Sequence, residues 1–325
     1  SGELKEYELL SQTWRKPIVI STLVQFLNML FSHRTTDIRR MQSLISATVL
    51  IDEVQSLPLK IISLFNLAMN FLAVSCKTTV VLSSATQPGF ELVNRPLIFS
   101  PDSEMIPFDK ALFAPFARTK IIDKRTKFGL SEEELEEFTE DIAKQSQSLL
   151  VIGNKKATAL DLYRRLKRLE NRGWHVFHLS TSMCQKHREK TLNEINDSLK
   201  TGKTLCVATP LIEAGIDFSF ERVIRIIAGM DNIAQAAGRC NRHGEYFYRC
   251  PVYVVNLKNE NLKRLPDIER AQRHAQGLFE NFATDPSRFE NDLLSNVSVQ
   301  AYYRSLYSEK TAANHMDYLV KGRPY

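Results

Sequence analysis

Short runs of β-branched and aliphatic residues alternate along this chain with segments whose apolar positions recur every three or four residues, the pattern of a parallel sheet covered by helices. The runs predict strands at Ile18–Thr22, Thr48–Ile51, Thr79–Leu82, Leu149–Ile152, Val176–Leu179, Leu205–Val207, Arg222–Ile227 and Val252–Val255. The longest apolar stretch, Ile61 to Val74, is broken by Ser63, Asn66 and Asn70. It falls short of the ~18 residues a membrane span needs, so it is expected to be a core helix, with no membrane contact. Ser131-Glu-Glu-Glu134 has the form of a capping box and predicts a helix start, with Leu135, Phe138 and Ile142 on its buried face. Ala157–Leu169 has the period of a surface helix.

Helix and strand breakers cluster at Pro88, Gly89, Pro96, Pro101, Pro107 and Pro115, which places a linker at 88–117. The expected organisation is α/β: a partial first parallel-sheet domain over 1–87, a second over 118–257, and a helical, almost charge-balanced extension over 258–325. In open sheets of this kind the ligand crevice lies beyond the carboxyl ends of the strands, so residues at several strand tips can share one cleft.

Composition narrows this picture in three ways. A chain of 325 residues with 43% hydrophobic side chains can bury a core in each of about two domains. Cysteines at 76, 184, 206, 240 and 250 form no C-x-x-C pair or metal-ligand spacing; reduced thiols and a cytoplasmic setting are expected. No basic segment followed by an apolar one opens the chain, so no signal peptide is expected. The net charge is +6, and 154–204 alone holds twelve Lys and Arg against five Asp and Glu. Either a solvated helix face or contact with a phosphate backbone accounts for that excess.

The candidate chemistry sits where predicted strands end. Asp52-Glu53 follows Thr48–Ile51, and adjacent carboxylates at a strand tip suit one holding Mg²⁺ (Asp52) and one orienting a water (Glu53). Ser84 and Thr86, in Ser84-Ala-Thr86, offer hydroxyls that could sense a phosphate or the Asp-Glu loop. In Gln235-Ala-Ala-Gly-Arg239-Cys-Asn-Arg242-His-Gly244, two arginine forks lie three apart behind a glutamine, which suits bidentate contact with a transferring phosphoryl group. Within Thr209–Asp217, Gly215 permits a tight path, Asp217 can meet a ribose or the arginine loop, and Thr209 can donate to a nucleic-acid phosphate. Ser180 and Thr181 are weaker backbone-contact candidates. No G-x-x-x-x-G-K-[ST] phosphate loop occurs: Gly202-Lys203-Thr204 has Asp197 five positions before its glycine and precedes its strand.

These motifs in this order, together with Trp14-x-x-Pro17-Ile-Val-Ile-Ser-Thr22 and Ile212-Glu-Ala-Gly-Ile-Asp-Phe-Ser-Phe220, resemble superfamily 2 helicases. More narrowly, they resemble the helicase part of the CRISPR-associated helicase-nuclease of type I interference, over about Trp14 to Leu257. The resemblance implies two RecA-like domains, the first truncated here, with ATP and Mg²⁺, translocation along single-stranded DNA, and recruitment by an RNA-guided surveillance complex in antiviral defence. It assigns Asp52 and Glu53 to Mg²⁺ and water, Gln235, Arg239 and Arg242 to the γ-phosphate, and Thr22 and Thr209 to the DNA strand. Gln55 stands where the family usually has His and can still hydrogen-bond. Neither the family's HD nuclease pattern nor its phosphate loop occurs, so no nuclease activity and negligible ATPase activity are expected of the chain alone. Residues 1–87 are expected to be half a domain, completed by another polypeptide or left incomplete by truncation. Three alternatives stay open: a general superfamily 2 DNA or RNA helicase, a non-catalytic nucleic-acid or partner-binding module, and one half of a split helicase whose phosphate loop lies on a separate chain.

Overall fold

The structure, a computed structural model, describes residues 14, 16–106, 114–213 and 215–308. Pro107, parts of the expected linker, Ala214 and the end of the expected extension lie outside the described residues. The chain divides into two compact units, Ser1–Ser103 with Tyr303–Tyr325, and Glu104–Tyr302.

Among the described residues, the first helices of this unit are α1 (Leu23–Phe31) and α2 (Thr35–Met41). Strand β1 (Thr48–Ile51) then pairs in parallel with β2 (Thr79–Leu82), Thr48 opposite Thr79 and Ile51 opposite Leu82. Between them runs α3 (Ile62–Ser75), the expected core helix. Its polar interruptions have a specific use. Asn66 Nδ2 donates to the carbonyls of Phe90 and Arg95, both at 2.9 Å. Asn70 donates to Pro96 O at 3.0 Å and accepts from Ile98 N–H at 2.9 Å. Phe65 and Phe90 pack edge to face beside them, with centroids 5.8 Å apart. An apolar helix thus fastens the proline-rich segment that follows β2. Tyr303 and Tyr307 join this unit through Thr86 Oγ1 (3.2 Å) and Pro88 O (2.6 Å).

Ile18–Thr22 is not a strand. Ile18 is 83% and Ile20 95% exposed, and Thr22 is the N-cap of α1, its Oγ1 accepting from Gln25 N–H at 3.2 Å. A β-branched run without a paired neighbour has no ladder to hold it, and the capping bond sets Thr22 as a helix start instead.

The second unit is a six-stranded, wholly parallel sheet in the order β3-β8-β7-β4-β6-β5. Its strands are β3 (Thr119–Asp123), β4 (Ser148–Ile152), β5 (Trp174–Leu179), β6 (Lys203–Ala208), β7 (Arg222–Ile226) and β8 (Cys250–Val255). β3 was not expected from the sequence. Its two isoleucines are flanked by Lys120 and Asp123, so no apolar run marks it, and pairing with β8 makes it a strand. Helices α4 (Glu132–Ala143), α5 (Lys156–Leu166), α6 (Gln185–Thr201) and α7 (Met230–Ala237) connect the strands, and α8 (Pro266–Thr284) and α9 (Asn296–Ser308) follow. The core of one sheet face gathers Leu149, Val151, Val207, Ile224, Ile226 and Val255 against Leu135 and Ile142 of α4 and Leu162 and Leu166 of α5. Both bonds of the capping box at Ser131 are formed.

The basic excess of 154–204 is partly neutralised within the unit. Arg165 meets Glu132, Glu133 and Asp161, and Arg168 meets Glu136 and Glu140. The α4 acids thus pair with Arg165 of α5 and with Arg168 in the turn that follows it, an ion-paired surface. Among the described residues no helix is long and apolar enough to cross a membrane.

Candidate functional site

In the first unit the Asp-Glu box follows β1 directly. Glu53 adopts the left-handed conformation at φ 53°, a turn that a non-glycine residue takes only where its surroundings hold it. Asp52 Oδ1 accepts the Glu53 N–H at 3.0 Å, and Val54 N–H donates to Ser83 O at 3.2 Å. Gln55 is buried; its Nε2 donates to Glu53 Oε2, and its Oε1 accepts from Ser84 Oγ at 2.7 Å. Ser84 Oγ also reaches Thr86 O, and Thr86 N–H donates back to Ser84 Oγ at 3.2 Å. A continuous polar chain therefore runs from Glu53 through Gln55 and Ser84 to Thr86. An amide at position 55 can donate to one side and accept from the other, as this chain requires. Asp52 and Glu53 are exposed, and their oxygen donors suit a hard cation such as Mg²⁺, which usually takes one or two carboxylates and fills its remaining positions with water and phosphate. Thr22 lies apart in this unit, with its hydroxyl spent on the α1 cap.

In the second unit the other motifs gather at the carboxyl ends of β5 and β6 and around α7. Thr209, after β6, is buried; its N–H donates to Leu179 O at 3.0 Å, and its Oγ1 makes no hydrogen bond. Ser180, also buried, lies 3.2 Å from His178 Nε2. Burial lowers the His178 pKa, which favours the neutral ring. Thr181 beside it is exposed. Sequence reading did not single out His178.

α7 carries Gln235 and delivers the arginine loop. Arg239 is buried, and its Nε and Nη2 donate to the carbonyls of Ile212 and Glu213 at 2.9 and 2.6 Å. Arg242 is exposed, and its Nε donates to Asp217 Oδ1 at 2.6 Å. The Arg242 hydrogen bond, supported by its charge and that of His243, holds the Asp217 carboxyl below its ordinary value. Gly215 sits at φ 70°, in the left-handed region that favours glycine. The turn after β6 and the arginine loop are therefore locked together twice: by main-chain carbonyls at Arg239 and by an ion pair at Arg242. Beside them lies an open depression of about 500 Å³ whose lining includes Phe116, Arg118, Asp217, Gly238, Arg242 and His243.

Two further residues were not singled out from the sequence. Arg225, in the middle of β7, has no solvent exposure and lies 2.9 Å from the buried Glu213 carboxylate. The signal was present as one arginine inside the run Val223-Ile-Arg-Ile226, since a charge in a buried strand must have a partner.

A parallel α/β unit whose post-strand turn is interlocked with a glutamine-arginine loop, preceded in sequence by an Asp-Glu box wired to a Ser-Ala-Thr turn, resembles superfamily 2 helicases in fold and motif order. More narrowly, the chain resembles the helicase portion of CRISPR-associated nuclease/helicase Cas3. Residues 145–245 match the family described as CRISPR-associated nuclease/helicase Cas3, C-terminal. A 59-residue stretch is 48% identical to the CRISPR-associated nuclease/helicase Cas3 of Haloferax volcanii, covering 18% of this chain and 6% of that protein. The fold is also that of the T. fusca Cas3 solved with AMPPNP, with a TM-score of 0.65 over 90% of this chain and 38% of that one at 15% identity. A chain of a CRISPR RNA-guided surveillance complex in a pre-nicking state shares the fold too, with a TM-score of 0.62 over 93% of this chain and 42% of that one at 13% identity. This chain thus spans well under half the length of the relatives it matches.

Proposed function

We propose that this chain is the C-terminal part of an ATP-dependent translocase that moves along single-stranded DNA in CRISPR interference, working with an RNA-guided surveillance complex. The observation that carries the reading is the double lock between the turn after β6 and the arginine loop. It fixes two arginines on one loop, Arg242 exposed and Arg239 buried against the turn, so that a transferring phosphoryl group meets Arg242 directly and Arg239 once its bonds to Ile212 and Glu213 are exchanged. In this reading Asp52 would hold Mg²⁺, which would supply charge neutralisation at the nucleotide phosphates. Glu53 orients the attacking water and can accept its proton. Gln55, Ser84 and Thr86 relay the state of that carboxylate. Gln235, Arg239 and Arg242 face the γ-phosphate, with Gly215 and Asp217 shaping the approach. Thr181, exposed after β5, contacts the DNA backbone; Ser180 and Thr209, buried beside it, and Thr22, whose hydroxyl caps α1, reach the strand only if those side chains are released.

The 325 residues contain no G-x-x-x-x-G-K-[ST] pattern, so the backbone cradle and lysine that anchor β- and γ-phosphates are not supplied by this chain. DNA binding and turnover therefore separate in the test. The chain is expected to bind a fluorescent single strand. If about four phosphates are engaged, affinity should fall roughly sevenfold for each doubling of salt. Phosphate release with ATP, Mg²⁺ and single-stranded DNA should stay at background. Absence of single-strand binding at low salt would overturn the translocase reading, and turnover near ~1 s⁻¹, ordinary for an enzyme, would overturn the assignment of inactivity.

A further inference from the structure

The alternation of β7 sends Ile224 and Ile226 into the apolar core of one sheet face and Arg225 to the opposite face, where it has no contact with water. Its Nη1 donates to Asn154 Oδ1 at 2.7 Å and to Ile226 O at 2.5 Å. Its Nε lies 2.9 Å from Glu213 Oε1, an ion pair without hydrogen-bond alignment, and its Nη2 makes no hydrogen bond. The other Glu213 oxygen accepts from Asn232 Nδ2 on α7 at 3.1 Å. Burial raises the Glu213 pKa, while the charge of Arg225 opposes that rise.

A buried ion pair is a poor source of stability, because desolvation cancels most of the Coulomb attraction. Incomplete hydrogen bonding at Arg225 makes this pair poorer still. What the pair provides is connection. Through its side chain Glu213 touches the sheet at Arg225 and α7 at Asn232. Its own carbonyl, with that of Ile212, accepts the Arg239 guanidinium. One residue thereby ties the strand, the turn after β6 and the helix that delivers the arginine loop.

We infer that Glu213 and Arg225 are a positioning pair that fixes the heading of the Arg239 guanidinium through the carbonyls of Ile212 and Glu213. The role rests on the reading of Arg239 as a phosphate-facing arginine; the geometric claim can be tested apart from it. Arginine-selective dicarbonyl labelling of the whole chain, read peptide by peptide by mass spectrometry, reports how firmly each guanidinium is held. The double swap Glu213→Leu with Arg225→Met removes the pair without stranding a charge. It should raise the Arg239 labelling rate about fivefold and change Arg242 by less than about twofold, the scale of one or two lost hydrogen bonds. Arg225→Lys, which keeps the cation, should leave Arg239 near the wild-type rate. Should the double swap misfold, Asn232→Ala cuts only the helix link and should raise Arg239 labelling about twofold. An unchanged Arg239 rate, or equal rises at Arg239 and Arg242, overturns the inference. In a parallel arm, AMPPNP with Mg²⁺ at millimolar concentration, needed because this chain supplies no phosphate cradle, should slow labelling of Arg239 and Arg242 in the wild-type chain. No protection there overturns the phosphate-facing reading while leaving the positioning result to stand or fall by itself.

Discussion

Asp217 and Arg242 show at the scale of single residues how a motif read as letters becomes an interaction. The sequence marks Asp217 as able to meet either a ribose or the arginine loop, and the structure has it 2.6 Å from Arg242 Nε. Because that bond lowers the folded pKa of Asp217, the pair's stabilisation is present above the ordinary carboxylate value and is lost as pH falls through the lowered one. Arg242→Ala should therefore move the Asp217 titration upward, towards the ordinary aspartate range, in a carbon-detected NMR titration. A midpoint that does not move would mean that the bond is not populated in solution. Residue types were legible here because two arginines three apart behind a glutamine have few uses. The partners of Arg239 were not legible. Main-chain carbonyls carry no sequence signal, and Glu213 is a motif residue without an assigned partner until the fold buries it against Arg225.

Elements were legible where local chemistry alone decides them. At the start of α4, Ser131 Oγ accepts from Glu134 N–H at 3.2 Å and the Glu134 carboxylate accepts from Ser131 N–H at 2.7 Å. Both bonds lie within four residues, so the sequence pattern is sufficient. Ser131→Ala should cost about 1 kcal/mol, measured as a shift of the urea midpoint with unchanged slope. A loss below about 0.3 kcal/mol would show that the Glu134 half of the box suffices. Strands were less legible because partners decide them. Ile18–Thr22 has the composition of a strand and forms none, whereas Thr119–Asp123 lacks the composition and becomes one through its pairing with β8. The charge excess of 154–204 is only a partial guide for a related reason. Its count ignored the acids on α4, which lie at 132–140 in sequence and against α5 in space.

Across the whole molecule, the two units differ in how much of their sheet is protected. Among the described residues, each strand of the first unit's sheet has four residues and one neighbour, and Leu50 in β1 is 68% exposed. In the second unit β4 is buried along its full length and paired on both sides, to β6 and β7. Sequence length and apolar content did not distinguish these cases, because both sets of strands are equally aliphatic; the number of neighbours separates them. Nor did the sequence show that Tyr303 and Tyr307, four apart on α9, pack with the segment after β2, since periodicity reveals a face without naming what covers it. Opening free energies within a protein range from near zero to the global stability and follow burial and pairing. Amides of β4, β6 and β7 should therefore be the last to exchange with deuterium, and those of β1 and β2 should exchange at least about 100-fold sooner, equivalent to roughly 3 kcal/mol in opening free energy. Peptide-resolved exchange on the isolated chain measures this directly. Equal protection of β1 and β4 would mean that the small sheet opens only with global unfolding, and that the two units behave as one cooperative body.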